Sequence, residues 1–215
     1  MIASGGPPDV ISATSDDLDT IAALLAAAHQ DYPVAQWAVP DPGERPRLLR
    51  AWYTIWIEHA LTYGNVDLLA DRSGAAVWLD RTQPLPEPFD YERRVIARCG
   101  LFGIDILMVD HVSSHHRFPV GHHHLTHIGV DHRANQRQRL GALLEHRHAL
   151  LDAAGVLAVT ETSSDDELDL FDAYGYRLAE PYFLPDGPLL RPLLRIPHGA
   201  RQRDRRPGPE VRDRT

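Results

Sequence analysis

The stretch from His122 to Leu151 contains residue types suited to proton transfer and anion binding. It is predicted to form a strand (122–130), a polar loop (131–136) and an amphipathic helix (137–154). The N–H groups that begin such a helix have no partner within it and lie at the positive end of its dipole, so they can hold a phosphate. Because every strand–loop–helix turn exposes such groups, the pattern alone does not establish a ligand.

Seven histidines lie between His111 and His127. Side chains alternate along a strand, so those of the predicted strand divide between its two faces. One face carries His122, His124 and Thr126, and the other carries His123, Leu125 and His127. A neutral histidine on the cavity side of such a strand can accept a proton near neutral pH.

The same histidines raise a metal-site hypothesis. His122 and His124 could share a metal with His115 or His116 as a third ligand. No cysteine or carboxylate lies at a matching spacing, and surface histidines are the simpler interpretation, so we expect no functional metal. Cys99 lies in a predicted helix without an adjacent base, which indicates buried packing rather than a nucleophile.

The elements around this stretch follow from apolar periodicity and turn residues. Upstream we predict a strand at 10–13, a helix at 18–29, a loop at 31–42, a helix from about 44 to 63, strands at 66–70 and 75–79, a proline-rich linker at 81–90, a helix at 91–109 broken near two glycines, and a polar loop at 111–121. Downstream we predict strands at 156–160, 176–178 and 189–195 and a short helix after Asp165. Strands mixed with helices in this order indicate an α/β fold around a mixed sheet.

Three aromatic residues share one stripe of the second helix. Trp52, Tyr53 and Trp56 recur at helical spacing with aliphatic residues. Such a stripe is more often part of a core than a stacking platform for a ligand, so we predict core packing.

Length and composition indicate one domain without a membrane span. The 215 residues are divided into a flexible N-terminus (1–9), a domain (10–197) and a disordered tail rich in arginine and proline (198–215). No apolar run reaches the roughly 18 to 20 residues of a membrane span, and the N-terminus lacks the features of a signal peptide. One cysteine excludes an intrachain disulfide, so we expect a cytoplasmic protein.

The charge balance restricts the class of partner. A net charge of −8 argues against general affinity for nucleic acid or an anionic membrane, and is compatible with a cationic small molecule. All 22 basic residues are arginine, so lysine catalysis is excluded.

Several segments, in order along the chain, resemble the GNAT acyltransferases. Ile128-Gly-Val130, followed by Gln136-Arg-Gln-Arg-Leu-Gly141-Ala-Leu-Leu144, resembles their acetyl-CoA motif. Segments 153–156, 161–164 and 170–176 resemble the corresponding parts of puromycin N-acetyltransferase relatives, and so do 31–33, 75–78 and 184–187. The resemblance covers residues 10 to about 197.

The resemblance implies a mixed, mostly antiparallel sheet flanked by helices, with the fourth and fifth strands splayed to admit a pantetheine arm. The co-substrate would be acetyl-CoA or another acyl-CoA, with no metal. Strand backbone would bind pantetheine, and the helix start would bind the pyrophosphate. The residues so implicated are Ile128, Gly129, Val130, Gln136, Arg137, Gln138, Arg139, Leu140, Gly141 and Ala142.

Three residues are candidates for proton transfer. Glu161 matches the glutamate of the family's "ETS" segment and would be the base, although it could equally be a structural carboxylate bonded to backbone. His124 is the second candidate base. Phe171 stands where the family usually has a tyrosine that protonates the leaving thiolate. Tyr174 is the nearest substitute, although its spacing favours packing.

Two arginines depart from the resembled motif. Arg139 occupies a glycine position where backbone would approach the pyrophosphate, and Arg137 replaces a less strict glycine. Both could turn outward and add guanidinium contacts to phosphate. Alternatively, the loop has abandoned the nucleotide, and an acyl-carrier protein presents the same arm with one phosphate.

The leading hypothesis is an N-acyltransferase that moves an acyl group from a CoA thioester to a small-molecule amine, in antibiotic modification or biosynthesis. The second hypothesis takes the acyl group from a carrier protein instead. The third is a non-catalytic protein that binds a ligand or partner, motivated by Arg139 and Phe171. A homodimer is left open.

Overall fold

The computed structural model describes residues 8–132 and 135–199. The strands are β1 (Val10–Ser12), β2 (Gly64–Leu69), β3 (Gly74–Asp80), β4 (His122–Val130), β5 (Leu157–Thr162), β6 (Tyr176–Leu178), β7 (Tyr182–Phe183) and β8 (Leu189–Arg195). The helices are α1 (Leu18–His29), α2 (Pro33–Ala38), α3 (Arg45–Tyr63), α4 (Tyr91–Cys99), α5 (Phe102–His115), α6 (Gln136–Ala154) and α7 (Asp166–Ala173). A 3-10 turn, Ser15–Asp17, precedes α1.

The strands form a mixed sheet in the order β1-β2-β3-β4-β5-β8-β6, with β7 paired separately to β8. Every pairing is antiparallel except that of β4 with β5. The parallel pairing runs from His122 opposite Leu157 to Leu125 opposite Thr160, where it stops. Within the described ranges, the remainder of β4 therefore has no strand partner on that side. The predicted fold class, with its splayed fourth and fifth strands, is confirmed.

Helices cover both faces of the sheet because the strand side chains alternate between two cores. One core joins helices α1 to α5 to the face carrying Val66, Leu68 and Val77. The other joins α6 and α7 to the face carrying Ala76 and Trp78. Within the described ranges, the helices include none with the length and apolar character that a bilayer span requires.

The loop predicted at 31–42 was wrong, because it contains α2. Pro33 stands at the first position of this helix, where the missing N–H is no loss, and Ala35 and Ala38 are buried. Six residues are too few to display a helical period. Buried Arg45 stabilises the segment that follows, since its guanidinium donates to the carbonyls of Val39, Gln30 and Pro40 at 2.7 to 3.0 Å.

Other differences lie at the ends of elements. The predicted break in the helix at 91–109 is confirmed, because α4 ends at Cys99, whereas α5 continues to His115 through what was expected to be loop. Gly100, with φ of 60°, separates them in a conformation that other residues rarely adopt. The two-residue strand β7 was not predicted. The flexible N-terminus and the disordered tail were predicted mostly on residues outside the described ranges.

A buried ion pair connects α6 to the sheet. Arg147 of α6 donates through Nε and Nη2 to both carboxylate oxygens of Asp67 on β2, and the Nε bond is 3.0 Å long. The two side chains are 8% and 1% exposed. Buried charges of this kind need their partner, because removing one leaves the other desolvated and unpaired. The pair therefore sets where α6 lies over the sheet.

We expect Arg147→Met to lower the free energy of unfolding by about 3 to 5 kcal/mol, because it leaves the Asp67 carboxylate buried without its guanidinium partner. Urea unfolding followed by circular dichroism measures this change. The matched control is Arg177→Met, which removes an exposed ion pair with Asp172 and should cost about 1 kcal/mol or less. Equal effects of the two substitutions would contradict a structural role for the buried pair.

Candidate active site

A cavity of about 160 Å³ lies where β4 and β5 part, beneath helices α1, α3 and α5. Trp52, Tyr53 and Trp56 form one wall of it. Trp52 and Tyr53 are buried in the core as well, so the aromatic stripe packs in the core, as predicted, and also lines the cavity. The polar residues that line the cavity are drawn from α1, α5, α7, β4, β5 and connecting segments, including the one after β3.

A β-bulge reshapes β4 beside the cavity. Val77 of β3 lies opposite His127, whereas Trp78 lies opposite Leu125, so Thr126 is an extra residue. Its hydroxyl donates to the Val77 carbonyl at 3.1 Å. Because a bulge breaks the alternation of side chains, His127 lies on the cavity side with His124. The expectation that His127 shares a face with Leu125 was wrong.

His127 was missed as a site residue for this reason. Its ring packs on Tyr53 with 4.2 Å between centroids. Nε2 is buried and has no hydrogen-bond partner among the described residues. Burial, with a smaller contribution from His29, holds the pKa of His127 well below its ordinary value. The ring is therefore neutral near pH 7.

The carbonyl of Ile128, just beyond the bulge, is bonded to a helix. His29 of α1 places Nε2 at 2.8 Å from this oxygen. A carbonyl can only accept, so the proton of the His29 ring is on Nε2. Burial lowers the pKa of His29, which keeps the ring neutral. The predicted pantetheine-binding residues Ile128, Gly129 and Val130 are buried in this half of β4.

Both candidate bases line the same cavity. Burial, and then the positive charge of Arg81, hold the pKa of His124 well below its ordinary value. Glu161 ends near the same space, and its Oε2 accepts a bond of 2.5 Å from the Tyr182 hydroxyl. Ser113 completes the chain of bonds, since its Oγ lies 3.0 Å from that hydroxyl.

Asp110 on α5 is a cavity residue that sequence reasoning missed. Burial raises the pKa of its carboxyl to about 7, although hydrogen bonds from Tyr91 and Trp52 oppose the shift. Tyr91 donates to Asp110, and its own oxygen accepts a bond of 3.0 Å from Trp52 Nε1. One available signal was the presence of Asp105 and Asp110 within the mostly apolar run 104–112, where an unneeded buried charge would be costly.

The third candidate, Tyr174, does not line the cavity, whereas Phe171 does. The Tyr174 hydroxyl lies 3.3 Å from a carboxylate oxygen of Glu145 on α6. It also fills the space beside Gly141, where an added Cβ would come within 2.1 Å of the hydroxyl oxygen. Tyr174 therefore packs against the helix that carries the predicted phosphate-binding residues.

The first turn of α6 contains no acidic residue, and Gln136, Arg137 and Gln138 are exposed there. Asn135 turns the chain into the helix with φ of 71°. Arg139 points to the β2–β3 turn, where its Nη1 lies 2.7 Å from Asp71 Oδ2. The later residues of the predicted set are progressively buried: Leu140 is half-buried, and Gly141 and Ala142 are buried.

The cavity histidines are not arranged as a metal site. Within the described ranges, no three histidine, cysteine, aspartate or glutamate side chains are grouped so that they could hold a metal ion. Cys99 is buried, and burial raises the pKa of its thiol.

The fold matches solved structures of N-acetyltransferases. One is a "histone acetyltransferase HPA2 and related acetyltransferase" from Corynebacterium glutamicum, with 21% identity over 96% of this chain and 100% of that chain, and a TM-score of 0.67. Another is an agmatine N-acetyltransferase mutant, with 16% identity over 89% and 100% and a TM-score of 0.58. A third is a polyamine N-acetyltransferase from Drosophila melanogaster, with 16% identity over 87% and 100% and a TM-score of 0.57.

No protein-family profile matches the sequence, and no curated protein matches it. At these identities, the structural likeness establishes a shared fold. The resemblance to puromycin N-acetyltransferase relatives stays a prediction.

The raised pKa of Asp110 predicts a pH dependence of stability. Between the ordinary value of 3.8 and about 7, the folded protein keeps a proton that the unfolded chain has lost. This contribution to stability is therefore fully present below the ordinary pKa of 3.8, and it is lost as the pH rises through the pKa of Asp110 in the folded protein. We expect Asp110→Asn to remove this decline, as measured by urea unfolding from pH 4 to 8. Asp105→Asn on the same helix is the control and should parallel the wild type.

Proposed function

We propose that this protein is an N-acyltransferase that moves an acyl group from an acyl-CoA to the amine of a small molecule. The observation that carries the proposal is the parting of β4 and β5 beside a cavity that contains Glu161 and His124. The fold shared with N-acetyltransferases supports it. A role in antibiotic modification or biosynthesis would extend the proposal and rests on the sequence resemblance alone.

The donor would enter along the open edge of β4. Its pantetheine arm would bond to the backbone at Ile128 and Val130, much as an added strand does, because among the described residues this part of β4 has no strand partner on the β5 side. The pyrophosphate would lie on the first turn of α6, whose N–H groups and dipole favour an anion. The bond from Arg139 to Asp71 supports this arrangement, because it holds the guanidinium at the β2–β3 turn and away from the space that the pyrophosphate would occupy.

The acceptor would occupy the cavity on the other side of the strands. An amine reaches a protein mostly as its ammonium ion, and it must lose a proton before nitrogen can attack the thioester carbonyl. Glu161 is the proposed proton acceptor, and His124 is the second, because its neutral ring has an open lone pair. An N–H of the bulged part of β4 would stabilise the oxyanion that forms.

The thiolate leaves when the tetrahedral intermediate collapses and the carbon–sulfur bond breaks. Phe171 on the cavity wall has no proton to give. Tyr174, beside Gly141 of α6, is retained as the proposed donor. Thiolate leaves readily without one, so we expect Tyr174→Phe to have a smaller effect on kcat than loss of the base.

We expect Glu161→Gln to lower kcat by about a hundredfold or more, because an amide cannot accept the proton. His124→Asn tests the second base in the same assay, which follows the release of free thiol from acetyl-CoA with a panel of amines. Thermal stabilisation by acetyl-CoA should persist in both variants. Glu180→Gln changes an exposed carboxylate and is the matched control.

Two results would contradict this proposal. Unchanged turnover in both Glu161→Gln and His124→Asn would remove the assigned base. Stabilisation of the wild type by acetyl-CoA without turnover of any amine would favour the non-catalytic alternative, in which the cavity only binds a ligand.

A comparison of donors separates CoA from a carrier protein. If α6 binds the pyrophosphate, acetyl-CoA should bind at least about tenfold more tightly than acetyl-phosphopantetheine, which is about 1.4 kcal/mol. Isothermal titration calorimetry gives both constants. Arg137→Gln should weaken only acetyl-CoA, because its exposed side chain can reach phosphate, whereas Arg139→Gln should leave both nearly unchanged. Equal affinities for the two donors would favour the carrier-protein alternative.

A further inference from the structure

Two arginines line the acceptor cavity without an acidic partner. Arg81 follows β3, and its backbone N–H donates to the His122 carbonyl at 2.9 Å, which fixes where its side chain begins. Its Nε is buried and has no hydrogen-bond partner in the described part of the chain. Arg117 lines the same cavity. Among the described residues, neither guanidinium lies within 4.0 Å of a carboxylate.

The three carboxylates of the cavity accept hydrogen bonds from neutral side chains, and Glu167 accepts them from the Tyr32 and Thr162 hydroxyls. Asp110 accepts a hydrogen bond from the Tyr91 hydroxyl, and Glu161 accepts one from the Tyr182 hydroxyl. Both donors are neutral phenols. Among the described residues, these acids therefore form no ion pair with Arg81 or Arg117, although the charges of Glu161 and Arg81 are near enough to act on each other.

The charge of Glu161 offsets that of Arg81 only in part, because burial and the charge of Arg117 outweigh it. The rings of His59, His122 and His124 have their pKa values lowered, chiefly by burial and in part by the Arg81 charge, so they are neutral. Burial and then the charge of Arg117 lower the pKa of Arg81 itself to about 10. A desolvated guanidinium without a counter-ion is costly. The positive charge of Arg81 is thus not fully compensated by the described residues around it.

We propose that Arg81 and Arg117 bind an anionic oxygen group of the acceptor, so that the substrate is an amine that also carries a carboxylate or a phosphate. This inference rests on the proposed N-acyltransferase function. Guanidinium groups suit the task because their planar fork donates two parallel bonds to such a group. The amine would then lie toward Glu161 and His124, and the anion toward the two guanidinium groups.

The aromatic wall and a second cavity describe the rest of the acceptor. Trp52, Tyr53 and Trp56 would contact an apolar or aromatic body between the two charged ends. A neighbouring cavity of about 340 Å³ shares Trp56, Arg81, Asp110 and Arg117 with the first. An acceptor larger than a simple amino acid could extend into it beyond the arginines.

An anion-binding acceptor site would distinguish this protein from two of its structural neighbours. Their names state agmatine and polyamine acetylation. A second cation on such an acceptor would meet Arg81 and Arg117 and be repelled. We therefore expect poor use of agmatine here.

The test compares acceptors that differ only in the anion. The pairs are phenylalanine with phenethylamine, arginine with agmatine, and phosphoethanolamine with ethanolamine. We expect kcat/KM to be about tenfold to a hundredfold higher for the anionic member, which is the worth of a charge-assisted hydrogen bond. The first two pairs test a carboxylate and the third a phosphate, so the better pair identifies the anion.

Substitutions locate the effect. Arg81→Gln and Arg117→Gln should each reduce the ratio between the members of a pair, with the loss mainly in KM of the anionic acceptor. Arg98→Gln removes an exposed arginine of α4 and is the control. If Arg81→Gln fails to fold, exposed Arg117 supplies the variant.

A binding measurement keeps this inference distinct from the proposed reaction. Calorimetry compares N-acetylphenylalanine with N-acetylphenethylamine as ligands of the wild type in the presence of CoA, and the carboxylate should bind at least about tenfold more tightly. That preference without any turnover would uphold the anion site and overturn the proposed function. Turnover of amines with no preference for the anionic members, or with a preference unchanged in both arginine variants, would overturn the anion site alone.

Discussion

The unpaired hydrogen-bonding edge of β4 is the constraint on which the candidate site depends. Where the pairing of β4 with β5 ends, the Thr160 hydroxyl donates to the Leu125 carbonyl at 3.0 Å. Beyond this point the backbone of β4 must find other partners, because buried N–H and C=O groups are rarely left unpaired. His29 supplies one of them at Ile128. The remaining opening is what a pantetheine arm could complete.

The rest of the structure maintains that opening. The Asp67–Arg147 pair anchors α6 on one face of the sheet, with its first turn at the end of β4. On the other face, helices α1, α3 and α5 bury their apolar sides but leave a cavity over the bulge. The donor and acceptor sites proposed above thus lie on opposite sides of one parted pair of strands.

Sequence reasoning was most successful where a local pattern carries the information. The strand 122–130 was predicted with the observed bounds, and the following helix differed by one residue at its start. Glu161 and His124 were chosen as candidates, and they line the same cavity. It was least successful where a single inserted residue or a distant contact decides the outcome. The bulge at Thr126 moved His127 to the cavity side, and Arg81 stood in what was predicted to be a linker.

The sequence by itself determined the order and type of most elements, because periodicity, prolines and helix-ending glycines act over a few residues. It also determined the residue types available for proton transfer and anion binding. Only the tertiary structure decided which of them meet. The burial that raises the pKa of Asp110, and that leaves Arg81 Nε without a hydrogen-bond partner among the described residues, comes from elements far apart in the chain. Desolvation depends on that packing rather than on sequence neighbours.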